Sequence, residues 1–183
     1  MRARDWIPVS SSPKGRLARR ALEEFGGRRF DEVTVGEIAA RAGVTTGPLY
    51  HHFGSKLGLY GFVRDEAERR LLDRMEGAAS ARADEGLSAA LRGALLVGFD
   101  FAVSQGFSRL LGEPHPSRDV DPVAELLGGI GDIGPTTIGR ILAAAWREAL
   151  LAVAEGARPR CARRALEALG VDETTLLRSS SRE

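Results

Sequence analysis

A short run of polar and aromatic side chains has the residue types that form hydrogen bonds with another molecule. Hydroxyl, phenol and imidazole groups can each donate or accept a hydrogen bond. The run comprises Thr45, Thr46, Gly47, Tyr50 and His51. At the start of a helix such side chains stand beside backbone amides that lack partners within the helix. The run therefore has the composition of a polar recognition surface.

Two short helices around a tight turn are predicted to position this run. Thr34 and Glu37 have the spacing of a capping box, so a helix is expected to begin near Val35. Gly43 favours the left-handed backbone conformation that ends a helix, which places the end at about Ala42. The inward face is expected to carry Val35, Ile38, Ala39 and Ala42.

The second helix is expected to use Thr45 as its cap and to run to Phe53. Pro48 then falls in the first turn, where proline removes no needed donor. Leu49 and Phe53 are expected to be buried, which leaves the polar run exposed at the start of the helix. A helix in the major groove of DNA presents its N-terminal residues to base edges, so the pattern predicts DNA binding. The alternative is a purely structural bundle in which Tyr50 and Phe53 are core aromatics.

The pattern resembles the DNA-binding domain of the TetR family of one-component bacterial regulators, over about residues 14 to 65. The residues that carry the resemblance are Phe30, Thr34, Ile38, Ala39, Ala42, Gly43, Val44, Leu49, Tyr50, His52, Phe53 and Lys56. It implies that the polar run faces DNA and that Thr34, His52 and Lys56 contact phosphates. Pro48 departs from the Thr, Ala or Ser common in the family, which leaves the base preference open.

The distribution of charge agrees with this interpretation. Residues 1 to 60 hold ten Lys or Arg against six Asp or Glu, a net of +4. The remaining residues hold 16 against 19, a net of −3. A local positive field favours contact with phosphates. Arg2 and Arg4, in a loose arm over residues 1 to 12, are expected either to reach DNA or to form a solvated tail.

Composition narrows the class of protein further. A single cysteine, Cys161, excludes an intramolecular disulfide, and the chain shows no apolar leader, so a cytoplasmic location is expected. Arg92 and Asp100 interrupt the apolar stretch from Leu87 to Val103, which therefore predicts a buried helix and no membrane span. Neither a cofactor nor an enzymatic activity is expected, because no catalytic or nucleotide-binding motif is present. Zinc is not expected either, since His115 lies far from His51 and His52.

The pattern of the remaining segments predicts further helices. A first helix is expected from Pro13 to Gly26 and Gly27, with Ser12 as its cap. After the DNA-binding helices, a long helix is expected from Ser55 to about Ala79, burying Leu59, Val63, Ala67, Leu71 and Met75. Further helices are predicted over 87–104, 107–111, 122–130, 136–155 and 159–169, with loops at 112–122 and 128–135.

These elements predict an all-α protein, with a three-helix helix-turn-helix DNA-binding domain over residues 1–54 and a helical bundle over residues 55–183. The resemblance implies that the bundle binds a small-molecule effector and that its last two long helices form a homodimer. The side chains nominated for the ligand are Leu72, Met75, Phe99, Val103, Phe107 and Trp146, each of which could instead be plain core.

The function expected from the sequence is a repressor that binds a palindromic operator as a dimer and is released by an effector. Two alternatives stay open. One is a helical small-molecule binding protein with vestigial DNA binding, and the other is a DNA-binding protein that responds to no ligand.

Overall fold

A computed structural model describes residues 11–115, 118–130 and 136–169 of the chain. Within these ranges the secondary structure is helical and contains no strand, which confirms the predicted all-α class. The expected N-terminal arm with Arg2 and Arg4 lies outside the described residues, as does most of the expected loop at 128–135.

Nine α-helices and one short 3-10 turn follow one another in the described ranges. The helices are α1 (Pro13–Gly27), α2 (Val35–Ala42), α3 (Gly47–Phe53), α4 (Lys56–Ser80), α5 (Leu87–Gln105), α6 (Ser108–Gly112), α7 (Pro122–Gly129), α8 (Thr136–Ala154) and α9 (Pro159–Ala168), with the 3-10 turn at Ala83–Glu85 before α5. The predicted helices are all present, with ends within one or two residues of those expected.

Helices α1 to α3 form a small head around one shared core. Ser12 caps α1 by accepting a hydrogen bond from the Gly15 amide at 3.0 Å, and Pro13 occupies the first turn, as predicted. The centre of the core is made by Leu17 of α1, Ile38 of α2 and Leu49 of α3, which are completely buried. Each helix therefore presents one apolar face to the other two.

Arginines of α1 hold the end of α2, a contact that the sequence analysis did not predict. The Arg16 Nε donates to the carbonyl oxygen of Ala42 at 3.0 Å, and the Arg20 Nε donates to that of Arg41 at 3.1 Å. Carbonyls in the last turn of a helix lack partners within it and carry the negative end of its dipole. The two guanidinium groups satisfy these carbonyls and set the position of α2 on α1.

The body is a bundle in which α4 and α5 pack along each other and α8 covers α7. The indole of Trp146 in α8 is fully buried and its Nε1 donates to the Leu95 carbonyl of α5 at 3.1 Å. At Gly139 of α8, an added Cβ would lie 2.1 Å from the Ala124 carbonyl oxygen of α7. Only glycine allows α7 and α8 to approach this closely.

Helix α5 is long and apolar enough to cross a membrane by length and composition alone, and it is the one such helix in the described ranges. It contacts α4, α8 and α9, and its side chains Leu91, Leu95 and Phe99 are buried. Asp100 faces outward and pairs with Arg163 of α9 at 2.9 Å. The hydrophobicity of α5 is that of a core helix in a bundle.

Candidate nucleic-acid interface

The turn between α2 and α3 has the predicted geometry. The Thr34 hydroxyl accepts a hydrogen bond from the Glu37 amide at 3.2 Å, and a Glu37 carboxylate oxygen accepts from the Thr34 amide at 2.8 Å. These contacts form the expected capping box. Gly43 ends α2 in the left-handed conformation, with φ of 65°, as its position after Ala42 predicted.

The predicted cap of α3 is wrong by one residue. Thr46, and not Thr45, occupies the cap position, and its side chain makes no capping hydrogen bond. The reason is the Thr46 backbone, which is already helical, with φ of −72° and ψ of −21°, whereas a capping side chain needs an extended backbone. Thr45 and Thr46 are both exposed ahead of Gly47 and Pro48.

Helix α3 divides cleanly into a buried face and an exposed face. Leu49 is completely buried and Phe53 is partly buried against the core, as predicted. On the other side Tyr50 is 54% exposed, and His51 and His52 are exposed beside it. A core role for Tyr50 is therefore excluded. The exposed residues of the recognition face are Thr45, Thr46, Gly47, Tyr50, His51 and His52.

The start of α4 fixes the end of α3. Ser55 caps α4 by accepting a hydrogen bond from the Gly58 amide at 2.9 Å. An added Cβ at Gly58 would lie 2.0 Å from the carbonyl oxygen of Phe53, so the two helices meet backbone to backbone. The recognition face is therefore held directly by the first turn of the longest helix of the body.

Lys56, which the family resemblance assigns to a phosphate, is already bound within the protein. Its Nζ donates to the carbonyl oxygens of Phe30 and Val33 at 2.7 and 2.8 Å, and lies 4.2 Å from the centroid of the Phe30 ring. These bonds tie the loop before α2 to the start of α4. A phosphate at Lys56 would have to share the ammonium group with that loop.

Thr34 is engaged in a similar way. Its hydroxyl donates to a carboxylate oxygen of Glu37 at 2.8 Å, in addition to its bond with the Glu37 amide. The hydrogen bonds from the Thr34 hydroxyl and amide hold the pKa of the Glu37 carboxyl below its usual value, so this carboxylate stays charged. Thr34 and Lys56 thus brace the edge of the recognition face in the free protein.

The six side chains nominated for a ligand lie at different places in the body. Met75 packs against Gly98 of α5, and Trp146 binds the Leu95 carbonyl. Phe107 is buried near Gly26, where α1 meets the body. The other three are Phe99, which is buried, and Leu72 and Val103, which are partly buried. Their role in binding a ligand stays a prediction.

Sequence analysis missed a cluster of buried charges between α4, α6, α7 and α8. Arg64 and Glu68 of α4 are buried almost completely. Arg147 of α8 donates two hydrogen bonds to the Asp121 carboxylate, at 2.8 and 2.6 Å. Burial alone would raise the pKa of Asp121, but the Arg147 guanidinium holds that pKa below its usual value. No signal in the sequence indicated this burial, because Arg64 and Glu68 each directly follow a buried residue of α4, a position typical of the solvated face.

Comparison with known proteins agrees with this geometry. Residues 17–61, which include α2, α3 and the first turn of α4, match the model of the bacterial regulatory proteins of the tetR family. No curated protein matches the sequence.

Two solved structures from Streptomyces coelicolor match the chain. A tetR-family transcriptional regulator shares 26% sequence identity at a TM-score of 0.60, with 91% of this chain and 87% of that chain covered. A TetR-family regulator from strain A3 shares 19% identity at a TM-score of 0.44, with 87% and 95% covered.

The family match falls on the helices that form the recognition face, and the first of these structures extends the likeness over the body. These similarities support a regulator of the TetR family with a helix-turn-helix DNA-binding head.

Proposed function

We propose that the protein is a cytoplasmic repressor that binds a palindromic operator as a homodimer and is released by a small-molecule effector. Residues 1–54 bind DNA, and residues 55–183 bind the effector and form the dimer. The protein has no enzymatic activity in this proposal, since its chemistry is binding alone.

The exposed face of α3 is the observation that carries the proposal. Tyr50, His51 and His52 are exposed on a helix whose opposite face is held by the completely buried Leu49. Thr45 and Thr46 add two exposed hydroxyl groups at the start of the helix. A rigid helix with polar groups at its N-terminal end is what readout in the major groove requires. An intact turn and recognition face also argue against a vestigial head.

The homodimer is supported by a face of α8 and α9 that exposes apolar side chains in the described part of the chain. Ile141 of α8 is 62% exposed, and Leu169, just after α9, is 39% exposed. Ala144 of α8 and Ala165 of α9 are exposed as well, and their small side chains allow close approach. A two-fold axis through this face would place two recognition helices on the two halves of a palindrome.

Fluorescence anisotropy on DNA that flanks the protein's own gene tests operator binding. We expect saturable binding that resists scrambled competitor DNA and weakens steeply with salt. Tyr50→Ala should weaken binding about tenfold or more, because Tyr50 is the largest side chain on the recognition face. Val97→Ala, which alters an exposed side chain of α5 in the body, is the matched control and should bind as the parent does.

Changes at Thr46 or Gly47 should alter the preferred base sequence more than the salt dependence, because base contacts specify and phosphate contacts position. Equal operator affinity of Tyr50→Ala and the parent would contradict the proposed docking. Binding no tighter than to scrambled DNA would favour the small-molecule binding alternative. Operator binding that no metabolite alters would favour the ligand-independent one.

A further inference from the structure

Arg64 of α4 is a completely buried guanidinium group without an acidic partner in the described part of the chain. Its side chain has no exposed surface. Nη1 donates to the Leu110 carbonyl of α6 and to the Tyr60 hydroxyl, and both acceptors are neutral. Among the described residues, Nε and Nη2 have no hydrogen-bond partner. One whole edge of the guanidinium group is therefore unused.

The carboxylates around Arg64 form ion pairs with other arginines. Within the described residues, Arg109 pairs with Glu113 at 3.3 Å, Arg118 pairs with Asp65 at 2.5 Å and with Glu68 at 2.7 Å, and Arg147 pairs with Asp121 at 2.6 Å. No described carboxylate lies within 4.0 Å of an Arg64 nitrogen. Arg64 is thus the buried arginine of this cluster for which the described residues provide no counter-ion.

Glu68, one turn further along α4, offers a second unused atom. Its Oε2 accepts from Arg118, but its Oε1 is buried and has no hydrogen-bond partner in the described ranges. The Nη2 of Arg147 lies 3.6 Å from Oε1. Residues four apart lie on the same side of a helix, so the open donors of Arg64 and the open acceptor of Glu68 belong to one region.

An unpaired buried charge is costly, and buried charges in proteins are normally paired or hydrogen-bonded. The two unused donors of Arg64 lie on the same edge of its guanidinium group. Nε and Nη2 together form the side of the guanidinium group that can donate two parallel hydrogen bonds to a carboxylate. The unused edge of Arg64 therefore fits the two oxygens of a carboxylate group.

We propose that Arg64 binds the carboxylate of a small organic acid, with Glu68 Oε1 accepting a hydrogen bond from a donor group of the same molecule. The site joins α4 to α6, because Nη1 of Arg64 holds the Leu110 carbonyl. Helix α6 in turn contacts α1 of the head. A bound acid therefore acts where the body meets the DNA-binding helices, and its role as the effector rests on the proposed function.

The test uses thermal unfolding of the full chain with sodium acetate and sodium benzoate as probes. Acetamide and benzamide are their neutral counterparts, and sodium chloride keeps the ionic strength constant. We expect a saturable rise in Tm with at least one carboxylate and none with its amide. In Arg64→Gln the rise should be lost. Arg69→Gln, which alters an exposed arginine of the same helix, should keep the full response.

Arg64→Lys provides a second variant that keeps the positive charge but lacks the two-donor edge. Its dissociation constant for the responding carboxylate, measured by calorimetric titration, should be at least about tenfold weaker than the parent value. The proposal is overturned if neither carboxylate raises the Tm of the parent, which is the result expected if only water occupies the site. It is also overturned if Arg64→Gln or Arg64→Lys responds as the parent does.

DNA binding is measured separately, by anisotropy on the operator with the responding carboxylate at saturation. Arg64-dependent carboxylate binding together with release of DNA supports both the site and its role as an effector site. Arg64-dependent binding without any change in DNA affinity supports the site and overturns the regulatory role. Failure of operator binding itself contradicts the proposed function but leaves the result of the titration intact.

Discussion

Lys56 shows how a single residue at the edge of the recognition face stabilises the head. Its Nζ satisfies the carbonyl oxygens of Phe30 and Val33. Lys56→Met should lower the free energy of unfolding by about 2 kcal/mol, because hydrogen bonds to a charged group are lost and partly buried carbonyls are left without a donor. Urea denaturation measures this loss.

Lys14 provides the matched control for Lys56. It is an exposed lysine of α1 whose Nζ lies over the rings of Phe53 and Phe62, at 5.9 and 5.1 Å from their centroids. Lys14→Met should cost about 1 kcal/mol or less, as expected for an exposed cation near an aromatic face. Equal losses in the two variants would mean that the carbonyl contacts of Lys56 do not stabilise the head.

His115 should make stability depend on pH. Burial lowers the pKa of its imidazole below the ordinary value of 6.5, the cations Arg64 and Arg118 lower it further, and Asp65 and Glu68 oppose them. The unfolded chain therefore binds a proton more readily than the folded protein. The contribution of neutral His115 to the free energy of unfolding is present in full above pH 6.5. It is lost as the pH falls through the pKa that His115 has in the folded protein.

The change that tests this is His115→Gln, which removes the titrating group. We expect the free energy of unfolding to fall less between about pH 7.5 and about pH 5.5 in the variant than in the parent. Urea denaturation at the two pH values measures the difference. The same fall in both proteins would show that His115 does not contribute.

At the scale of the elements, the end of α1 controls how the head meets the body. An added Cβ at Gly26 would lie 2.2 Å from the backbone oxygen of Gly106, at the turn between α5 and α6. Gly26→Ala should therefore lower the free energy of unfolding by about 1 to 3 kcal/mol, since backbone has to move. At the neighbouring Gly27 an added Cβ meets nothing within 4 Å, so Gly27→Ala should be neutral or gain up to about 1 kcal/mol.

Thermal or urea unfolding of both glycine variants measures this contrast. The Gly26→Ala variant should be less stable than the parent. The Gly27→Ala variant should be as stable as the parent or more stable. A Gly26→Ala variant as stable as the parent would mean that α1 and the α5–α6 turn have room to separate.

The elements themselves could be predicted because their signals are local. Capping residues such as Ser12 and Thr34, and apolar side chains at helical spacing, lie within a few residues of the ends and faces that they determine. The cap of α3 was misplaced because Thr45 and Thr46 offer the same hydroxyl group, and only the backbone conformation distinguishes them. A local pattern does not contain that information.

The contacts between elements could not be predicted in the same way. Arg64 and Leu110 are 46 residues apart, and Arg118 and Glu68 are 50 apart. A charged residue one position beyond a buried one in a helix is usually assigned to the solvated face. Burial of Arg64 and Glu68 follows from the packing of α6, α7 and α8 over α4, which only the three-dimensional arrangement shows.

At the scale of the whole molecule, the head and the body differ in net charge and in the surfaces that they expose. The first 60 residues have a net charge of +4 and carry the recognition face, whereas the remainder has a net charge of −3 and carries the apolar face of α8 and α9. A positive head on a negative body favours approach to DNA through the head. The α8 and α9 face, on which Ile141 is exposed, is where we expect a second copy of the chain to bind.

That arrangement predicts that Ile141→Glu separates the dimer. The side chain is 62% exposed in the single chain, so the substitution should leave the fold of each protomer intact. In the proposed dimer it would bury an unpaired carboxylate, which costs several kcal/mol per charge and acts twice across a two-fold axis. The parent should sediment at about twice the chain mass of 19.6 kDa, and the variant at the mass of one chain.

The control is Val120→Glu, because Val120 is a comparably exposed aliphatic residue, 56% exposed, that lies just before α7 and belongs to neither α8 nor α9. This variant should stay dimeric and keep its operator affinity.

Ile141→Glu should lose operator affinity together with the dimer, because one head alone contacts only half of a palindrome. An Ile141→Glu protein that sediments as a dimer would place the subunit interface elsewhere. A monomeric variant with full operator affinity would show that DNA recognition does not need the second copy.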